Sequence, residues 1–129
     1  MNKSFLSVAA LLGALSVVLG AFAAHKLKQI AAPETVAVFE TGVRYQFYHV
    51  FALFIVAILS ERFKGKWINW SGYCFIAGIV LFSGSLYTLA ALKAKEAIGM
   101  EGIGIITPFG GLFFIVGWLL LFFGVSKER

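Results

Sequence analysis

The residues best suited to chemistry in this chain lie between Phe39 and His49, in the run Phe-Glu-Thr-Gly-Val-Arg-Tyr-Gln-Phe-Tyr-His. Glu40 precedes Arg44 by four residues, the order in which a carboxylate and a guanidinium attract along a helix. That pair reads in two ways. It is either a lock that carries Arg44 into apolar surroundings with its charge matched, or, together with Gln46, a recogniser of an anionic headgroup or substrate. Tyr45 and His49 extend the same polar stretch. His25 and His49 would offer two imidazoles to a metal or haem, but the chain has no Asp and its single cysteine, Cys74, sits in an apolar run. A closed metal site lacks ligands, so no cofactor is expected and hydrogen-bonded structural histidines are the simpler reading.

Ser83, Ser85 and Thr107 supply hydroxyls and Tyr87 a phenol. Gly84-Ser85-Leu86-Tyr87 is not a nucleophile elbow, and no acid orients a histidine beside it. Small polar residues that bond across helices account for this set. Thr107-Pro108-Phe109-Gly110-Gly111 opens a helix, either as an ordinary capped start or with backbone donors turned toward an anion. No complete catalytic constellation results, so enzymatic activity is not expected.

These polar groups sit in a chain that is otherwise mostly oil. Of its 129 residues 60% are hydrophobic and 13% charged, and the mean hydropathy is +0.92. A soluble domain carries about a quarter charged residues, so the composition is that of an integral membrane protein. The net charge is +5, yet the basic residues lie in short connectors rather than in one patch with interleaved aromatics. They read as headgroup and topology signals, and nucleic-acid binding is not expected.

Four spans are expected, at about 4–24, 40–60, 68–92 and 105–125, in one domain. The first has a basic start and an Ala21-Phe22-Ala23 that fits a signal-peptide cleavage pattern, but it is long enough to cross the bilayer and reads as a retained span. Ala10/Ala14, Ser16/Gly20 and Gly20/Ala24 are small pairs four apart that invite a neighbouring helix. Residues 25–32 read as a basic connector. Pro33 then opens a helix that runs toward Glu61, long enough to protrude, lie in the interface or kink at Gly42. Trp67 and Trp70 fit an aromatic belt after the basic turn at Glu61–Lys66. Lys93–Gly104 reads as a long third connector, and Gly110, Gly117 and Gly124 recur every seven residues as a groove for another helix.

The expected fold is all-α, a four-helix transmembrane bundle with both termini on one side of the membrane. Lys and Arg number six on the terminal side against five on the other, or four if Arg44 is drawn into the bundle. The positive-inside rule then favours cytoplasmic termini. On a wheel of about 100° per residue, Glu40, Thr41, Arg44, Tyr45, Gln46, Tyr48 and His49 spread over one broad face, leaving Phe39, Val43, Phe47 and Val50 as a narrow lipid stripe. His25, the polar stretch, Ser83, Ser85, Tyr87 and Thr107 all fall near one end of their spans. They are expected to converge in one leaflet.

Gly20-Ala21-Phe22-Ala23-Ala24-His25, Thr41-Gly42-Val43-Arg44-Tyr45-Gln46 with His49, Leu81–Tyr87, and Thr107–Gly111 with Gly117-Trp118 resemble the small bacterial membrane proteins of domain-of-unknown-function family 423. Transmembrane protein 256-like chains look related. The chain departs from the pattern at Ala23, where glycine is expected, and in its longer third connector. The resemblance implies a four-span protein of the bacterial cytoplasmic (inner) membrane and supplies no activity. The reading that follows is a non-enzymatic binder of a lipid headgroup, small solute or partner helix through a polar pocket built from His25, Glu40, Arg44, Tyr45, Gln46, His49, Ser83, Ser85, Tyr87 and Thr107. Membrane lipids and a second copy or partner helix are its expected partners. A small oligomeric transporter or channel, and a membrane haem protein or enzyme, are the alternatives.

Overall fold

The computed structural model describes residues 1–95 and 101–127. Four long helices account for most of them: α1 (Lys3–Ile30), α2 (Pro33–Arg62), α3 (Lys66–Ala94) and α4 (Ile106–Lys127), the last entered through a 3₁₀ turn at Glu101–Ile105. The described residues contain no strand. All four helices are long and apolar enough to cross a membrane. They extend beyond the expected spans. The supposed connector 25–32 is mostly helix, because α1 continues through a π turn at Ala23–Leu27 to Ile30. What stops it is Pro33, whose ring disfavours helical backbone in the residue before it and leaves Ala32 extended. Part of the long connector 93–104, residues 96–100, and the terminal Glu128 and Arg129 lie outside the described residues.

At its other end α1 is capped by Asn2, whose side-chain oxygen accepts from the Phe5 N–H at 3.0 Å. The Asn2 N–H bonds the Ala57 carbonyl near the end of α2 at 3.0 Å. Lys127, closing α4, lies 4.9 Å over the Trp67 ring at the start of α3. Both ends of the described chain therefore sit at the end of the bundle that holds the α2–α3 turn. Trp70 is 58% exposed there, where a belt residue belongs.

α1 packs along α2, and α4 along α3, with α2 against α3 at the centre. Half of the most apolar window of α2 is buried, against 17% to 33% for the other three helices. It is also the least hydropathic of the four. A helix wrapped by protein needs less grease than one wrapped by lipid. Gly42 does not kink it; α2 is continuous from Pro33 to Arg62.

Lipid is as apolar as a leucine side chain, so close packing must supply what burial cannot. Glycine notches provide it. An added Cβ at Gly72 would run into the Phe5 ring, and one at Gly78 into the Phe114 ring. The expected heptad groove on α4 is present: Gly110, Gly117 and Gly124 are buried and abut Phe82, Phe75 and Ile68 of α3. On α1 the seam is Ala9, Gly13, Ser16 and Gly20, while Ala10, Ala14 and Ala24 are exposed, so the Ala10/Ala14 pair is not used. Two apolar clusters result. One holds Phe5, Ala9, Leu53, Val56, Ile68, Phe75 and Phe114 near the termini, the other Ala23, Leu27, Val36, Phe39, Val43 and Ala90 at the far end.

A Cβ on Gly110 would collide with the Phe82 backbone nitrogen, which cannot move aside as a side chain can. Gly110→Ala should therefore lose about 2 kcal/mol or more. Gly84→Ala adds its methyl to open space and should be neutral or gain up to about 1 kcal/mol in helix propensity. Thermal unfolding in micelles, followed by circular dichroism, distinguishes the two.

Candidate functional site

Between the two apolar clusters lies a polar layer, and Gln46 is its centre. Gln46 is 1% exposed. Its Nε2–H donates to the Leu12 carbonyl on α1 at 2.9 Å, and its Oε1 accepts from the Tyr87 hydroxyl on α3 at 2.7 Å. A carbonyl can only accept and a phenol donates here, so the amide has one possible orientation. One side chain joins three helices. Beside it, Ser83 donates to the Gly42 carbonyl at 2.7 Å. That contact depends on Gly42 having no side chain, since a Cβ there would meet the Tyr87 ring at 2.7 Å. It also depends on the π turn Ile79–Ser83, whose extra residue advances the following part of α3.

His49 joins α2 to α4. Its Nδ1 lies 2.7 Å from the Tyr45 carbonyl, and its Nε2 accepts from the Trp118 indole N–H at 3.1 Å. The carbonyl only accepts and the indole only donates, so His49 is the neutral tautomer with its proton on Nδ1. Phe114 stacks on the imidazole with ring centroids 3.5 Å apart and planes 8° from parallel. Both ring nitrogens are engaged, which leaves no lone pair for a metal. His25 is exposed on the π turn of α1 and does not face His49. Ser85 and Thr107 bond each other across α3 and α4.

Six of the ten residues singled out from the sequence are thus brought into the interior: Gln46, His49, Ser83, Ser85, Tyr87 and Thr107. They are paired off rather than left facing a shared space, and among the described residues no buried polar side-chain atom lacks a partner. Glu40, Arg44 and Tyr45, with His25, are exposed. The expected inside and outside of α2 are consequently reversed over part of the wheel. Phe39, Val43 and Val50, assigned to lipid, are buried, Val43 against Gly20 and Val50 against Gly13 of α1. Polar character does not imply an inward position where apolar side chains fill glycine notches better. The Glu40–Arg44 lock is not formed either; an exposed pair gains too little to hold two flexible side chains in one geometry.

The Gln46–Leu12 bond lies well inside the bundle. Leu12 is ten residues from Asn2, about 15 Å of helix rise, half of a ~30 Å hydrocarbon core. Three participants are absent from the set expected from sequence: the Leu12 and Gly42 carbonyls and Trp118. The Leu12 carbonyl carries no side-chain signal. Trp118 does carry one: it lies in mid-span, away from the interfacial Trp67 and Trp70, where an indole N–H needs a partner.

Tyr87→Phe leaves Gln46 Oε1 without its donor and should cost about 1 kcal/mol, and Gln46→Leu more. A double-mutant cycle of the two in chemical unfolding should return a coupling of about 0.6 kcal/mol or larger.

Among known proteins, the family model described as a protein of unknown function, DUF423, matches residues 19–111. The UPF0382 membrane protein of Haemophilus influenzae is 39% identical over 100% of this chain and 98% of its own. The UPF0382 membrane protein YwdK of Bacillus subtilis is 38% identical over 97% and 98%, and the UPF0382 inner membrane protein YgdD of Escherichia coli 35% identical over 99% and 93%. No solved structure matches. With four membrane-spanning helices and relatives of this kind along nearly its full length, the chain belongs to the DUF423 family of membrane proteins of unknown function.

Proposed function

We propose that this protein is a non-enzymatic, multi-pass protein of the bacterial inner membrane that acts by binding a partner helix through the outward polar stripe of α2. One observation carries the reading. Glu40, Arg44 and Tyr48 follow one another at four-residue intervals, all exposed, and the stripe continues into Phe51, Ile55 and Ile58, which are 59%, 47% and 54% exposed. Those last three are what a lipid-facing surface should carry. A guanidinium and a carboxylate are not.

Depth decides among the ligand classes that polar side chains on such a stripe could serve. Arg44 stands eleven residues from the start of α2, about 16 Å of rise, and thirteen from Ala57, about 20 Å. Against a ~30 Å hydrocarbon core, that leaves the Arg44 backbone about 10 Å below the opposite surface, a distance a snorkelling side chain covers only in part. A charge at the centre of a lone helix costs about 2.5–3.5 kcal/mol on insertion, and a partner with complementary polar groups removes that cost. A small solute inside the bundle finds the donors and acceptors of Gln46, His49 and Tyr87 already engaged. The partner-helix reading is the one that uses what α2 leaves exposed. The name of the Escherichia coli relative supports the inner membrane. With Arg44 inside a span, the basic residues stand six to four in favour of cytoplasmic termini.

A photoreactive benzoylphenylalanine in place of Tyr48 tests this in native membranes, with Leu119 on the lipid-facing side of α4 as the control. Position 48 should give a protein adduct of one mass, reduced about tenfold by Arg44→Leu, a loss of the order of one charge-assisted contact. Position 119 should label lipid. Lipid adducts alone from both positions would overturn the proposal.

A further inference from the structure

Resting on that reading of the α2 stripe, we infer that the partner is a second copy of this chain, docked α2 to α2 about a two-fold axis along the membrane normal. A two-fold axis along the membrane normal requires both copies to insert with the same orientation, and it sets the two α2 helices side by side and parallel. Around their crossing point each residue opposes its own equivalent and those one turn away. Glu40 and Arg44 are one turn apart on the exposed stripe. Among the described residues neither has an ion-pair partner within the chain. In the two-fold pair, Glu40 of one protomer faces Arg44 of the partner subunit, and the reverse contact forms by symmetry. Two ion pairs form and no charge is left over.

Other occupants satisfy the stripe less completely. An anionic lipid would neutralise Arg44 while standing beside the carboxylate of Glu40. An unrelated helix would have to supply a cation and an anion at the same one-turn spacing, which this chain already carries. Tyr48 follows Arg44 by one further turn and is 51% exposed, with Tyr45 packed edge-on beside it at 5.6 Å between ring centroids. Below them Phe51, Ile55 and Ile58 continue the surface in apolar form. The charged contacts thus set register and partner choice, and the apolar ones supply area.

The test uses the full-length purified chain in liposomes, with association read by energy transfer between labelled copies and by native mass spectrometry. The wild-type chain should be dimeric. Glu40→Arg places two cations opposite two others, and Arg44→Glu places anions opposite anions, so each variant alone should lose dimer at least about tenfold. Mixed, the two variants form both ion pairs again and should recover association to within about twofold of wild type. Circular dichroism confirms that each variant is folded, which the exposure of both residues leads one to expect; Glu40→Gln and Arg44→Gln give a milder pair should a reversal fail to insert, each again with reduced association. A monomeric wild-type chain, or a mixture no better than its components, overturns the inference. A protein adduct at position 48 with a mass other than that of this chain would overturn it while leaving the partner-helix reading standing, whereas lipid adducts alone would remove both.

Discussion

The fold depends on one amide. Gln46 reaches the Leu12 carbonyl on one side and the Tyr87 hydroxyl on the other, and so ties α1, α2 and α3 in the interior of the bundle. In water such bonds exchange with solvent and contribute little net. In hydrocarbon there is no solvent to exchange with, and an unmade bond leaves a polar group stranded. The apolar clusters above and below the layer cannot replace it, because lipid competes with them on equal terms. Shape then does the rest. The glycines facing Phe5, Phe114, Phe82 and Phe75 bring backbones close enough for dispersion to accumulate.

α2 is accordingly a helix with two distinct polar populations. Inward, Gln46 and His49 are fully engaged and specify which helix lies where. Outward, Glu40, Arg44 and Tyr48 are exposed, Tyr48 touching only the edge of Tyr45 among the described aromatic contacts. A helical wheel merges these into one polar face. In the structure they lie on opposite sides of the helix and do different work. The interior set accounts for how a bundle with so few polar groups reaches one arrangement. Glu40 and Arg44 of the exterior set have no ion-pair partner among the described residues of a single copy.

How much of this was legible follows from the kind of signal each feature leaves. Four spans were readable because an apolar run of bilayer length fits little besides a membrane helix. The α4 groove was readable because Gly110, Gly117 and Gly124 mark a face by their spacing. Connectivity pointed to a meeting of the polar residues; the structure pairs Gln46 with Tyr87 and Ser85 with Thr107, gives His49 to Trp118, and leaves His25, Glu40 and Arg44 exposed. The rotation of α2 was not. A wheel ranks residues by polarity, whereas burial was decided by the fit of Val43 and Val50 to Gly20 and Gly13 on a different helix. The π turns at Ala23–Leu27 and Ile79–Ser83 were also invisible, since they change the phase of a helix without any distinctive composition. Nor does a sequence reveal that a main-chain oxygen is the anchor for its most buried amide.

That last point bears on how α1 is held. Any helix offers an equivalent carbonyl one turn up or down on the same face, about 5.4 Å away, so the grip of Gln46 on Leu12 is satisfied by a ladder of rungs rather than by one. The amide secures attachment but is indifferent to sliding. What singles out one rung is the fit along the rest of the helix, above all the seating of the Phe5 ring on Gly72, with Val50 on Gly13 and the Asn2 N–H on the Ala57 carbonyl beside it. Adhesion and alignment of the first helix are therefore separable properties, held by residues at different depths, and a substitution at Gly72 should let α1 slip while it still clings.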